Sequence, residues 1–154
     1  MEFSLRPATE EDRTFLWALH EATMREHVEP VYGWDDAAQR AYFGHRFEPT
    51  LMEVIQVGGE DVGVVWIERR ITDLFLAHLA VLPARQGQGI GAAVVRYLLG
   101  VAGARGFPLA LRVLKGNLRA RALYERLGLE VVGETDTHWE MLGWGGVTPS
   151  YGSR

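Results

Sequence analysis

Ala77-His-Leu-Ala-Val-Leu-Pro-Ala-Arg-Gln-Gly-Gln-Gly-Ile-Gly91 is the stretch that decides the fold. Residues 74–81, just before its proline, are a run of Leu, Phe, Ala and Val broken only by His78. A short apolar run stopped by proline reads as a buried strand. Gly87, Gly89 and Gly91 then stand at alternate positions, and Ile90, Val94, Val95, Leu98 and Val101 recur at helical spacing. Strand, glycine-rich turn and helix in that order present main-chain N–H groups and the positive end of a helix dipole to an anion. Glycine lets a phosphate approach the backbone, where a side chain would hold it off. The stretch predicts a phosphate cradle.

Two familiar cradles fail on spacing. The P-loop needs Gly-Lys-Ser/Thr at the helix start, whereas Gly89 is followed by Ile90 and Gly91. The dinucleotide fingerprint needs Gly-x-Gly-x-x-Gly and an acid about twenty residues on. Here the glycines run Gly-x-Gly-x-Gly, and Leu111-Arg-Val-Leu114 holds no acid.

Gln86-Gly-Gln-Gly-Ile-Gly91 instead resembles Gln/Arg-x-x-Gly-x-Gly/Ala, the acyl-CoA diphosphate signature of the GNAT family of N-acetyltransferases, with Val81-x-Pro83 just upstream. Asn117-Leu-Arg-Ala-Arg-Ala-Leu-Tyr-Glu-Arg-Leu-Gly128 resembles the family's second signature, Asn-x-x-Ala-x-x-Leu-Tyr-x-x-x-Gly. The two cover roughly residues 74–130; the first half of the chain carries little that is diagnostic. Gln86 stands where arginine is more frequent and offers a diphosphate less charge, and Leu129 stands where phenylalanine is usual.

The length of 154 residues suits one domain with a sizeable core. Residues 1–143 read as a single acetyltransferase domain, and the turn-rich 144–154 as a flexible tail. No apolar stretch approaches a membrane span, no secretion signal opens the chain, and cysteine is absent. The expectation is a cytoplasmic protein without thiolate chemistry or a metal. A net charge of −4, from 16 basic and 20 acidic residues, argues against nucleic acid as a partner. Arg119 and Arg121 flank the second motif's helix and are candidates for attracting the phosphates of a CoA-like ligand.

Taken in order, residues 3–7 read as a strand and Thr9-x-x-Asp12 as a capping box. A helix runs to about His27, broken by Pro30 and Gly33. A second follows Trp34, capped by Asp35 or Asp36, with Ala38, Tyr42 and Phe43 available to pack. Residues 51–57 and 62–68 flank Gly58-Gly-Glu-Asp61 as a hairpin, and a third strand runs from about 71 to 81. Strands at 109–114, 129–134 and 137–142 and helices after Gly89 and from Asn117 to Leu127 complete a βαα-βββ-α-β-α-ββ order. This is an α/β (α+β) class, a mixed sheet of about seven strands flanked by about four helices. The resemblance implies the same acyl-CoA N-acyltransferase fold.

Acyl transfer to an amine needs a base for the amine proton and help for the leaving thiolate. Tyr124 lies seven residues beyond Asn117, two turns along one helix face. The resemblance implies that Tyr124 hydrogen-bonds the CoA sulfur as general acid and that Asn117 contacts the pantetheine or holds the helix start. It also implies that main-chain groups of Leu79, Ala80 and Val81 hold the thioester, and that the amides from Gln86 through Gly87, Gln88, Gly89, Ile90, Gly91 and Ala92 hold the diphosphate. His78 is the titratable group within the strand before the glycine turn and a candidate base, with core packing as its other reading. Glu29, Trp34, Asp35 and His138 are candidates for the acceptor site, the carboxylates holding an amine and Trp34 stacking on it. The expectation is acetyl transfer from acetyl-CoA to a primary amine of a small molecule. An acyl-CoA-binding sensor without turnover is the alternative, and the resemblance admits a homodimer.

Overall fold

The computed structural model describes residues 1–145. Seven strands form one mixed sheet in the order β1-β2-β3-β4-β5-β7-β6, accompanied by four helices. The chain divides into two compact units, residues 1–66 with 78–90, and residues 67–77 with 91 onward.

In the first unit, β1 (Ser4–Pro7) pairs antiparallel with β2 (Met52–Val57), which pairs antiparallel with β3 (Glu60–Arg69). Gly58 and Gly59 turn the hairpin with φ of 60° and 81°, the left-handed pair that a tight two-residue turn requires. Asp12 accepts a hydrogen bond from the Thr9 main-chain N–H at 2.8 Å and an ion pair from Arg6 at 2.7 Å, so the expected capping box also ties β1 to the first helix. That helix, α1 (Arg13–Tyr32), does not stop near His27: Pro30 lies inside its last turn. So close to the end, proline removes one ladder bond without disturbing much of the helix. Gly33, at φ 72°, ends it and donates its N–H to the Glu29 carbonyl at 2.9 Å.

Asp35 caps α2 (Asp36–Arg46) by accepting from the Ala38 N–H at 3.1 Å. The expected packing of Ala38 and Tyr42 is not seen, since both are exposed and only Phe43 turns inward. Leu16 and Leu19 of α1, Phe47, Met52, Val54, Val64 and Ala80 form the core of this unit. Each large side chain so buried contributes about 1.5–3 kcal/mol.

In the second unit, Leu74 to Leu76 of β4 (Leu74–Val81) pair in parallel with Leu109 to Leu111 of β5 (Leu109–Leu114). The strand begins three residues later than expected, because Ile71 is 93% exposed in the turn before it. Val94, Val95 and Leu98 of α3 (Ile90–Ala104) are almost wholly buried, as their spacing predicts. Asn117 caps α4 (Leu118–Arg126) by accepting from the Ala120 N–H at 3.1 Å, and Gly128, at φ 94°, terminates it. β7 (His138–Gly143) lies between β5 and β6 (Glu130–Glu134), antiparallel to both. Of the expected tail, Trp144 and Gly145 are seen and 146–154 lie outside the described residues.

Gly63 marks the tightest backbone approach in the first unit. A Cβ there would run into the Ala80 carbonyl oxygen and come within 3.2 Å of Ile55 Cδ1. Gly63→Ala is expected to destabilise the protein by about 1–3 kcal/mol, the usual cost of overpacking, read as a lower urea midpoint.

Candidate active site

The turn after β4 is held from inside. Leu82 donates its N–H to the Val62 carbonyl at 2.8 Å, and Pro83–Arg85 forms one 3-10 turn. The Gln86 side-chain amide donates to the Val81 carbonyl at 3.0 Å, tying the loop to the strand end. Arg85 is engaged with Glu60 at 3.0 Å and Gln88 at 3.1 Å. Gly87 and Gly89 both adopt left-handed φ, 77° and 85°, which other residues rarely reach. Ile90, 1% exposed, then pins the start of α3. The first N–H groups of a helix have no partner within it, so Ile90, Gly91 and Ala92 offer main-chain donors. No acidic side chain lies between Pro83 and Val94. These features fit a diphosphate bound by main-chain amides rather than by salt bridges.

Ala80 packs in the core of the first unit, and His78, two residues away on a strand, faces the same side. There burial, then the proximity of His20 and Arg46, pushes the half-buried His78 imidazole down to about 4. Leu79 and Val81 are half-buried. The ladder with β5 covers Leu74 to Leu76, and β4 runs on to Val81 beyond it.

Near His78 is a layer of rings of which the sequence singled out Trp34 for the acceptor and Phe43 for packing, but not Trp17 or His20. Trp17 and His20 lie one turn apart on α1, with ring centroids 5.7 Å apart. Phe43 of α2 meets them at 5.6 and 5.8 Å. Trp34 completes the group, 6.5 Å from Trp17 and 6.3 Å from His20. Arginines lie over its rings: Arg40 over Trp17 at 4.6 Å, Arg25 over Trp34 at 5.4 Å, and Arg46 over Trp66 of β3 at 5.3 Å. The indole Nε1 atoms of Trp34 and Trp66 are buried without an acceptor at hydrogen-bond geometry. Trp34 nevertheless lies near enough to Asp36 to help hold that carboxyl low, after the larger effect of Arg40. The expected carboxylates are engaged, since Glu29 binds Arg25 at 2.9 Å and Asp35 serves as the α2 cap. The available signal was the i, i+3 spacing of Trp17 and His20, which places both on one helix face.

In the second unit Tyr124 is 8% exposed, and burial alone pushes its phenol up to about 12. The Asn117 Oδ1 serves as the helix cap, accepting from the Ala120 N–H. His138 is half-buried, with Nδ1 2.8 Å from the Thr137 hydroxyl; burial and then Arg112 hold its pKa below the usual value. Lys115 and Arg121 each lie over the Trp139 ring, 4.7 Å from its centroid.

A seven-stranded mixed sheet with a glycine turn opening α3 defines an acyl-CoA-dependent transferase. The chain belongs to the Acetyltransferase (GNAT) family, whose profile matches residues 14–129. It is an acetyl-CoA-dependent N-acetyltransferase. Among solved structures the fold is similar to that of PaiA N-acetyltransferase from Thermoplasma acidophilum, in complex with coenzyme A. That match has a TM-score of 0.76 at 12% identity, over 94% of this chain and 99% of the other. A spermidine N-acetyltransferase SpeG chimera from Vibrio cholerae and hSSAT matches at a TM-score of 0.67 and 16% identity, over the whole of both chains. Arabidopsis thaliana Naa50, bound to a bisubstrate analogue CoA-Ac-MVNAL, matches at 0.62 and 15% identity, over 92% and 98%. Comparison with curated protein sequences gives no match. No helix among the described residues is long and apolar enough to cross a membrane.

The His78 environment carries a pH signature. An unfolded histidine titrates near 6.5 and the folded one near 4, so between those values the unfolded chain binds more protons. Stability therefore falls as pH drops through that window, by up to about 3 kcal/mol from this group. His78→Asn is expected to flatten the loss of thermal midpoint between pH 7 and 4.5 relative to the wild type.

Proposed function

We propose that the enzyme moves acetyl from acetyl-CoA to the primary amine of a small molecule in one direct step. The observation that carries this reading is the left-handed pair Gly87 and Gly89, set before a helix start pinned by the buried Ile90. In this reading the amides from Gly87 to Ala92 hold the diphosphate, as helix N-termini do for anions, whereas the Gln86 N–H, expected among them, is given to the Pro83 carbonyl at 3.2 Å. Main-chain groups of Leu79, Ala80 and Val81, past the β5 ladder, bond the pantetheine and polarise the acetyl carbonyl. Asn117, by capping α4, fixes the helix that carries Tyr124.

Bound acetyl-CoA supplies an activated carbonyl carbon and a thiolate leaving group: the new C–N bond forms, the C–S bond breaks, and its electron pair stays on sulfur. Tyr124 is the residue for that sulfur. A phenol near 12 does not give up its proton to a thiolate whose conjugate acid titrates near 8.5. In the general-acid position it acts chiefly as a hydrogen-bond donor that stabilises the departing charge, and burial keeps it protonated. A hydrogen bond to a charged group is worth about 1.5–3 kcal/mol, or about 10- to 100-fold in rate.

The base problem has a similar answer. A histidine near 4 is too weak to take a proton from an ammonium near 10.4. His78 stays neutral, accepts a hydrogen bond from the attacking amine or from a water beside it, and lets solvent carry the proton away. Trp34 and the rings around it give the acceptor's apolar part a surface to lie on, while Glu29, Asp35 and His138 stand farther down the list of acceptor contacts because each already has a partner.

Tyr124→Phe is expected to lower kcat for CoA thiol release about 10- to 100-fold while the calorimetric affinity for CoA stays within about threefold. Unchanged thiol release with CoA still bound would remove Tyr124 from the mechanism. Absence of CoA binding in the wild type would remove the whole reading.

A further inference from the structure

Every arginine of the first unit but one is paired with a carboxylate, in a unit that carries more carboxylates than arginines. Arg6 pairs with Asp12 and Asp61, Arg13 with Glu10, Arg25 with Glu21 and Glu29, Arg40 with Asp36, and Arg85 with Glu60. Arg46, the last residue of α2, meets no carboxylate among the described residues. Its Nη1 donates to the neutral Tyr42 hydroxyl at 2.8 Å, and its guanidinium lies over the Trp66 ring. Its charge reaches both His20 and His78. The Trp66 indole N–H, on the strand beneath it, is buried without an acceptor. A buried donor left unmade is costly, and native structures keep few of them without a purpose.

The other groups around this spot are accounted for. From α1, His20 has its Nε2 3.3 Å from Gln39 Oε1, and Glu21, which also faces it, is bound to Arg25. From β4 comes His78, held neutral. The Arg46 guanidinium, the Trp66 ring and the imidazoles of His20 and His78 lie close together there, and the facing carboxylate, Glu21, is bound to Arg25. Such a surface does not suit a second ammonium group, which would face Arg46 without a counter-charge. It suits a compact anion, and the flat guanidinium fork matches a carboxylate in particular.

We propose that the acceptor amine also carries a carboxylate, recognised by Arg46 and the Trp66 N–H, so that the substrate class is an amino acid rather than a plain amine or polyamine. The inference rests on the acetyl-transfer reading for the amine end of the molecule. The rings of Trp17, Trp34 and Phe43 line the same face and offer its side chain an apolar seat.

The test uses pairs of primary amines that differ only in the carboxylate, amino acids against their decarboxylated counterparts, with acetyl-CoA and thiol release as readout. In the wild type kcat/KM is expected to favour the carboxylated member by about tenfold or more, mainly through KM. Arg46→Gln is expected to bring that ratio close to one, and Arg46→Lys to restore part of it. Trp66→Phe, which keeps the ring and removes the N–H, is expected to lower the ratio several-fold without lowering the thermal midpoint. Binding of the carboxylated member is also expected to raise the titration midpoints of His20 and His78, followed by NMR, because it offsets Arg46. A wild-type ratio near or below one, or a ratio that survives Arg46→Gln, overturns the proposal. If CoA binds but no amine in the panel is acetylated, the acetyl-transfer reading fails instead. Calorimetric binding of the same pairs to the CoA-loaded protein then still decides the carboxylate preference: equal affinities overturn it.

Discussion

Main-chain N–H groups have to be left unpaired in one place and paired everywhere around it, and this constraint shapes the middle of the chain. A turn that offers its amides to a ligand cannot spend them on itself, so it must be held by other means. Here the holding is done by the Leu82–Val62 main-chain bond, the Gln86 side chain on the Val81 carbonyl, and the buried Ile90. Left-handed Gly87 and Gly89 let the chain reverse between these anchors without a side chain in the space an anion would occupy. The apolar face of α3, Val94, Val95 and Leu98, supplies the fixed body to which the turn is attached. Gln86 takes on a different meaning in this light. It gives the diphosphate less charge than arginine would, and it secures the strand end whose backbone the thioester needs.

The first unit solves a second problem, that of placing a polar reaction beside an apolar surface. Its rings cannot be sealed into the core without burying their indole N–H groups, and two of them remain without acceptors. Arginines lie over the rings, where stacking on an aromatic face costs a guanidinium less hydration than it would cost an ammonium. Most of those arginines are then neutralised by a carboxylate one helical turn away, as with Arg25 and Glu29 or Arg40 and Asp36. Arg46 is the exception, held by the Tyr42 hydroxyl and the Trp66 ring instead.

What the sequence made legible follows from which features are local. The glycine turn, the Asn117 and Asp35 caps, the Gly58-Gly59 hairpin and the buried stripe of α3 all depend on residues within a few positions of one another, and all are found. Pro30 misled because a breaker matters by its position along the helix: in the last turn it costs little, and Gly33 does the terminating. The ring layer stayed hidden because Trp17, Trp34, Phe43 and Trp66 come from separate elements, and no spacing rule joins them. The same holds for Arg46, whose interest lies in a partner it lacks. Glu29 and Asp35 looked available as charges in a list and are committed as soon as the helices form.

The two strongly shifted groups of the candidate site share one consequence. Burial moves His78 down to about 4 and Tyr124 up to about 12, so each is held in its neutral form across the whole physiological range. A pair tuned to exchange protons with the reactants would have values drawn toward neutrality, because proton transfer is efficient when donor and acceptor are matched to the working pH. Here they are driven apart. On the proposed reading the protein acts on the reaction through dipoles and hydrogen bonds fixed in advance, which need no reorganisation as charge develops on sulfur and nitrogen. The proton that the amine must lose is then governed by the amine's own ionisation and by solvent. Arg46 bears on this directly: on the proposed reading a guanidinium near the amine disfavours its charged form, and so joins recognition of one end of the acceptor to readiness of the other.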